Sequence, residues 1–270
     1  MAVPPEIISH IFSYLQSDPI ILEICSRAHP ILSRIAEPFR YADIVVLDNM
    51  SDMDDKDGRT YFAAKLHTLL TEHPHIANYV RRLEIRVSLN KSIDGAGVGF
   101  APILPMLMQL DRISLTSEIE DSHPIIENLS AEFREAFKNR LLSPTSALNE
   151  VAIFSNSNFP LRIFDDCTTV KSILLCGSPN YNDLVVPSNP PILDSLALHD
   201  WICIDPLFLA WARERIQSLR SLSLHLRNPI IVHKLCPELF GMCSSSLTNL
   251  RLHIFSRCKF RSVCFTFATE

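Results

Sequence analysis

Histidine is the residue type in this chain with the widest chemical range, since it can bind metal ions or transfer protons near neutral pH. The 270 residues include 10 histidines. His73 and His75 are two residues apart, while His225 and His253 fall in strand-like segments. None joins a second histidine or a cysteine at the spacing of a metal site. The spacing therefore predicts surface or core histidines and no metal centre.

Cysteine would supply a nucleophile, a metal ligand or a disulfide. The chain has 8 cysteines scattered through apolar stretches, and no Cys-x-x-Cys occurs. Cys236 with Cys243, and Cys258 with Cys264, lack zinc-finger spacing. The N-terminus lacks the positively charged start of a secretion signal. The pattern is typical of free thiols packed as small hydrophobic groups in a reducing, intracellular compartment, either the cytoplasm or the nucleus.

Two loops could bind an ion or a nucleotide. In the acidic stretch 48–58, placing Gly58 at the sixth position of a calcium loop puts Met53 first and Ala64 twelfth, and neither binds calcium. In the glycine cluster 90–100, Phe100 stands where a dinucleotide site needs a third Gly or Ala. Both stretches are therefore interpreted as solvated loops, and no cofactor is predicted.

Catalytic constellations are also absent from the sequence. Asp165 and Asp166 form a carboxylate pair, but adjacent residues on a helix point apart. No nucleophile elbow, Walker loop or His-Glu-x-x-His motif occurs. We predict a protein that is not an enzyme, with no catalytic residue.

A repeated hexapeptide dominates the organisation of the chain. The pattern apolar-x-x-apolar-x-apolar begins at Val80, Leu110, Leu148, Val170, Leu193, Leu219 and Leu247. The last two apolar residues of each copy are two apart, as on one face of a β-strand, and the first closes the turn into it. One such unit cannot bury its apolar face alone, so the units must stack. The pattern predicts an α/β repeat fold with a mostly parallel sheet, an irregular leucine-rich-repeat-like solenoid over residues 41–270.

Elements around these hexapeptides follow from spacing and turn residues. We expect a strand at 41–47, a helix at 61–72, a helix near 133–141, a short helix or 3₁₀ segment at 159–164, helices at 207–216 and 232–243, and a final strand within 254–267. No polar cap follows the final strand, which suggests a chain truncated at its C-terminus or a partner covering that end.

The first 40 residues form a different block. Pro4 and Pro5 start a helix, a second spans 19–28, and a third opens at Pro30 and ends at Pro38. Their many Ile and Leu residues exceed what so short a block can hide, which indicates a partner surface.

This block resembles the F-box. The resemblance rests on Val3-Pro-Pro-Glu-Ile-Ile8, Ile11-Phe12, Leu15, Asp18-Pro19, Leu22 and Cys25-Ser-Arg27. Val3 stands where Leu is usual, and His29-Pro30-Ile31 falls where many members carry an aromatic residue. The junction that follows resembles that of fungal F-box proteins.

The resemblance implies docking on a Skp-family adaptor and, through it, a cullin. The adaptor-facing candidates by this resemblance are Pro4, Ile7, Ile8, Ile11, Leu15 and Leu22. The repeats would then hold a protein substrate for ubiquitination. The alternative is a repeat scaffold outside any ligase, in which the F-box-like block only caps the solenoid.

Composition limits other partners. A formal charge of −5 gives no basic footprint for nucleic acid. No run of 18 or more apolar residues occurs, so the sequence predicts no membrane span.

Overall fold

The computed structural model of the chain describes residues 3–16, 18–47, 59–87, 98–117, 129–154, 161–177, 192–201, 206–226, 237–256 and 259–266. The α-helices are α1 (Pro5–Tyr14), α2 (Pro19–Ala28), α3 (Pro30–Arg40), α4 (Ala63–Glu72), α5 (Ala131–Leu142), α6 (Pro206–Arg213) and α7 (237–243). The strands are β1 (Asp43–Leu47), β2 (Thr60–Phe62), β3 (Arg82–Val87), β4 (Arg112–Ser117), β5 (Glu150–Phe154), β6 (Ser172–Cys176), β7 (Ser195–Trp201), β8 (Ser221–Leu226), β9 (Asn249–Ser256) and β10 (Lys259–Thr266). Short 3₁₀ segments lie at Pro74–Asn78, Val98–Phe100, Leu104–Met106 and Leu161–Phe164.

The ten strands form one sheet in the order β10-β9-β8-β7-β6-β5-β4-β3-β1-β2. Every neighbouring pair is parallel except β9 and β10, which are antiparallel. From β3 onwards the strands follow one another across the sheet in chain order. The predicted α/β fold with a mostly parallel sheet is therefore confirmed.

The seven hexapeptides occupy equivalent positions in β3 to β9. Their fourth residues pair across the sheet in one register row, from Leu83 through Ile113 to Leu250. The first and fourth residues of every copy are buried, and so are the sixth residues of all but the last, where Leu252 is half-buried against the same core. A strand presents alternate side chains to opposite faces, so the fourth and sixth residues point together into the core.

Helices and 3₁₀ segments cover that apolar face. Leu66 and Leu70 of α4, Phe133 and Phe137 of α5, and Phe208 of α6 belong to one continuous core with the strand residues. The rings of Phe133 and Phe137 stack at 5.9 Å. Burying each such side chain contributes about 1.5–3 kcal/mol, so this core is the main source of stability of the sheet.

A buried arginine joins two units that are not adjacent along the chain. Arg215 is only 1% exposed, and its guanidinium donates to Asp165 Oδ1 and to the Trp211 carbonyl, both at 2.7 Å. The guanidinium also lies 4.3 Å from the Trp211 ring centroid. Burial lowers the pKa of Arg215 to about 10, partly offset by the charge of Asp165. The predicted carboxylate pair thus supplies a structural ion pair through Asp165.

Two expectations about element boundaries need correction. The helix predicted at 61–72 begins at Ala63, because Tyr61 and Phe62 pair with Val46 and Leu47 as strand β2. Pro38 does not end the third helix, which continues to Arg40. Pro38 lies in the last turn, where its missing N–H removes only one bond, and the Tyr41 N–H still donates to the Glu37 carbonyl at 3.2 Å.

The other elements agree with expectation to within a few residues. The second helix spans the predicted 19–28, and the 3₁₀ alternative is found at Leu161–Phe164. The predicted final strand exists as β10, although it runs antiparallel to β9. The acidic stretch 48–58 and the glycines at 95 and 97 lie outside the described residues, but Phe100 is buried and its ring packs edge-on against Phe133 at 6.0 Å.

Candidate functional site

The three N-terminal helices have a small core of their own. Phe12, Leu22 and Ala36 are its buried members. Half-buried side chains pack around them, namely Ile8, Leu15, Cys25, Leu32, Ile35 and Phe39. Helix α3 packs against both α1 and α2. This core is separate from the large core beneath the sheet, so the block is held together from within.

Local capping explains where these helices start. The Asp18 side chain accepts a hydrogen bond from the Ile21 N–H at 3.1 Å, and Pro19 occupies the first turn of α2. The ring Nδ1 of His29 accepts from the Ile31 N–H at 3.1 Å at the start of α3. Both bonds satisfy N–H groups that a helix cannot pair internally.

A second set of apolar side chains on the same helices points to solvent. In the described part of the chain, all but two of the exposed large hydrophobic residues lie among the first 31 residues. We call this set the N-terminal apolar surface, and it comprises Val3, Ile7, Ile11, Tyr14, Ile20, Ile21, Ile24 and Ile31. Their exposed fractions range from 39% for Ile21 to 73% for Tyr14. Exposed apolar side chains in such density are typical of a protein-interaction site.

Helix α1 is apolar on two sides. Ile8, Phe12 and Leu15 face the small core, while Ile7 and Ile11, one turn apart, are 51% and 49% exposed. An amphipathic helix that packs on one neighbour needs a single apolar stripe. The second apolar stripe of α1 is therefore not needed for packing within the block.

The six predicted adaptor-facing residues divide accordingly. Pro4, Ile7 and Ile11 are exposed, and Ile8 and Leu15 are half-buried. Leu22 has no exposed surface, since it lies inside the small core. Its place assigns Leu22 to helix packing instead of direct contact with a partner.

Polar contacts connect the block to the edge of the sheet. At the junction that follows the block, the Ala42 carbonyl accepts from the N–H groups of Arg81 and Arg82 at 2.8 and 2.9 Å. The Arg59 side chain donates to the Gln16 carbonyl, and His75 Nε2 lies 3.4 Å from Glu37 Oε1.

The face of the sheet opposite the large core forms a second candidate surface, which we call the open face. It carries the third and fifth residues of each hexapeptide and the residue that follows the sixth. Helices α4 to α7 contribute to the large core on the other side of the sheet.

The half of the open face on β1 to β5 is charged and internally paired. Asp43 Oδ2 lies 3.7 Å from Arg82 Nη1. Glu84 Oε1 lies 2.7 Å from Arg86 Nε, and Glu150 Oε1 lies 3.2 Å from Arg112 Nη1. A depression of about 240 Å³ lies among these side chains. Each positive charge has a carboxylate partner here, so little net charge is left for a ligand.

The half on β6 to β9 has a different character. The third and fifth hexapeptide positions carry mostly small or polar residues, namely Ser172, Leu174, Ser195, Ala197, Ser221, Ser223, Asn249 and Arg251. The following position carries histidine on three consecutive strands. The rings of His199 and His225 stack at 3.9 Å, and those of His225 and His253 at 4.0 Å. We call these three residues the histidine row.

The histidine row was not predicted, because its three residues are far apart along the chain. The signal was present in the repeat: the sixth apolar residue is followed by His in three successive hexapeptides, as Leu198-His199, Leu224-His225 and Leu252-His253. The parallel register then places the three rings side by side.

Among the described residues, no three His, Cys, Asp or Glu side chains are arranged to hold a metal ion. The described cysteines Cys25, Cys167, Cys176 and Cys243 form no disulfide with one another. Burial, with the charges of Asp165 and Asp166, raises the pKa of Cys167 to about 12. Such a thiol stays protonated at neutral pH and is a poor nucleophile.

No protein-family model matches this chain, and no curated protein is significantly similar to it. In the described part of the chain, no helix combines the length and apolar character needed to cross a membrane. The two surfaces and the resemblance of the N-terminal motif are therefore the observations that bear on function.

Proposed function

We propose that this protein is a substrate-recruiting adaptor of a cullin–RING ubiquitin ligase of the SCF type. The N-terminal helices would act as an F-box that docks on a Skp-family adaptor. The sheet with its helices would act as a leucine-rich-repeat-like solenoid whose open face holds a protein substrate. The chain would take no covalent part, because holding two partners together raises their effective concentration.

The observation that carries this proposal is the N-terminal apolar surface. Burying side chains such as Ile7, Ile11 and Ile24 in an interface would remove from water an apolar area that the chain itself leaves exposed. The motif Val3-Pro-Pro-Glu-Ile-Ile8 opens the same helix. Sequence resemblance and surface chemistry therefore favour one site.

The alternative is a repeat scaffold outside any ligase, with the helical block as a cap on the solenoid. A cap of that kind stabilises the solenoid by sharing its core. The separation of the small core from the large core favours docking over capping.

Co-expression with a Skp-family adaptor, followed by size-exclusion chromatography, tests the proposal. We expect a complex that the double variant Ile7→Asp, Ile11→Asp loses. The matched control is Ile192→Asp, since Ile192 is 54% exposed but lies outside the N-terminal apolar surface. Circular dichroism checks that both variants fold. A wild-type chain that elutes alone at high adaptor concentration would favour the scaffold alternative.

A further inference from the structure

The two halves of the open face differ in how their charges are balanced. On β1 to β5, the arginines Arg82, Arg86 and Arg112 each lie within 3.7 Å of a carboxylate oxygen. On β6 to β9, no Asp or Glu occupies an open-face position of the hexapeptides. A surface without its own carboxylates can attract them from a ligand.

Arg251 is the one arginine at an open-face position of the hexapeptides on β6 to β9. It is exposed at the fifth hexapeptide position of β9, next to Ser223 of β8. It forms no ion pair with any residue in the described part of the chain. Arginine binds carboxylate and phosphate groups through two parallel hydrogen bonds, which gives such a contact orientation as well as energy.

The histidine row lies one step further along the same strands. His253 follows Leu252 on β9, and its ring stacks on His225, which stacks in turn on His199. Imidazole N–H groups donate hydrogen bonds to carboxylates in either protonation state. A ligand with several acidic groups could therefore contact Arg251 and the histidine row together.

The floor between these groups suits an extended chain. Ser195, Ala197, Ser221 and Ser223 have short side chains and are only half-buried.

We infer that the open face of β7 to β9 binds a short, extended, acidic protein segment, with Arg251 and the histidine row contacting its carboxylates. A net charge of −5 on the whole chain opposes a long polyanion, which favours a short protein segment over nucleic acid. The inference deepens the proposed function, since this segment would belong to the substrate and would define its class.

Fluorescence anisotropy of labelled dodecapeptides on the full chain tests this inference, with a chelator present to exclude metal bridging. We expect a Ser-Glu repeat peptide to bind about tenfold more tightly than a Ser-Gln repeat peptide, and more weakly as salt rises. Arg251→Glu should weaken binding of the Ser-Glu peptide by about tenfold or more. Arg251→Gln should have a smaller effect in the same direction.

The matched control is Arg134→Glu, which makes the same charge change at an exposed position on α5, on the opposite side of the sheet. It should change the affinity by less than about twofold. Equal binding of the Glu and Gln peptides, equal losses in Arg251→Glu and Arg134→Glu, or tighter binding of an oligouridylate of the same length would overturn the inference.

Two variants distinguish failure of this inference from failure of the proposed function. The Ile7→Asp, Ile11→Asp variant lacks the adaptor-docking side chains but keeps the open face, so it should bind the Ser-Glu peptide like the unmodified chain. Arg251→Glu should still co-elute with the adaptor if the F-box proposal holds.

Discussion

The N-terminal helices and the sheet-containing remainder of the chain bury apolar side chains to very different extents. Beneath the sheet, one continuous core runs from Ile44 to Leu250, and only Met108 and Ile192 are exposed large hydrophobic residues among the described positions. The N-terminal block buries only Phe12, Leu22 and Ala36 among its described residues and exposes eight large hydrophobic side chains. The helices of the sheet region cover its apolar face, whereas the N-terminal block leaves many apolar side chains exposed to solvent.

Truncation of one aromatic ring in each region should give the largest difference between the two regions in the free energy of unfolding. Phe133→Ala removes a ring that packs against both Phe100 and Phe137, and we expect a loss of about 3–5 kcal/mol in the free energy of unfolding. Tyr14→Ala removes a ring that is 73% exposed, and its effect should stay within about 0.5 kcal/mol. Urea denaturation followed by circular dichroism measures both, and equal losses would contradict the comparison.

Two glycines in the sheet-containing region differ in the space around their Cα atoms. A Cβ atom at Gly99 would lie 2.9 Å from the Cβ of Ala63, whereas at Gly241 it would meet nothing within 4 Å. We expect Gly99→Ala to destabilise by about 1–3 kcal/mol because α4 cannot give way without disturbing the core. Gly241→Ala, on the exposed side of α7, should stabilise by about 0.5–1 kcal/mol. Thermal unfolding of the pair would reveal opposite shifts in Tm, and a gain from Gly99→Ala would refute the close approach.

Thiol labelling compares the two regions with little perturbation. The pKa of Cys167, near 12 against an ordinary 9.0, lowers its thiolate fraction at pH 8 by about a thousandfold. Cys25, half-buried in the small core, should therefore react with iodoacetamide faster than Cys167, as read by peptide mass spectrometry. Faster labelling of Cys167 than of Cys25 would contradict the burial of the sheet core.

The same raised pKa has a defined sign for stability. Above pH 9 the unfolded chain loses the Cys167 proton while the folded chain keeps it. The contribution of this thiol is therefore complete below pH 9 and declines as the pH rises towards 12. Replacing Cys167 with alanine should flatten that part of the stability curve.

Much of the fold was predictable because one pattern recurs. The hexapeptides at Val80 and Leu110, for example, predicted the positions of both strands and which of their side chains face the core. Alternation along a strand allows only one set of side chains to point inward. Helix α2 was bounded by its own cap at Asp18 and by Pro19 and Pro30. These signals are local, so the sequence alone carries them.

The features that were not predicted depend on contacts between distant segments. Strand β2 forms because Thr60–Phe62 pairs with β1, and its three residues alone resemble the start of a helix. Arg215 is buried because Asp165, 50 residues away, neutralises it. Leu22 is buried because the three N-terminal helices pack around it. The F-box resemblance alone did not predict this burial.

Calorimetric titration of a Skp-family adaptor into the full chain tests the central claim most directly. Burial of the N-terminal apolar surface predicts binding with a negative heat-capacity change. The Ile7→Asp, Ile11→Asp variant should lose that binding, and Ile192→Asp should retain it. Absence of binding by the unmodified, folded chain, or equal binding by all three proteins, would contradict the claim that this surface docks the adaptor.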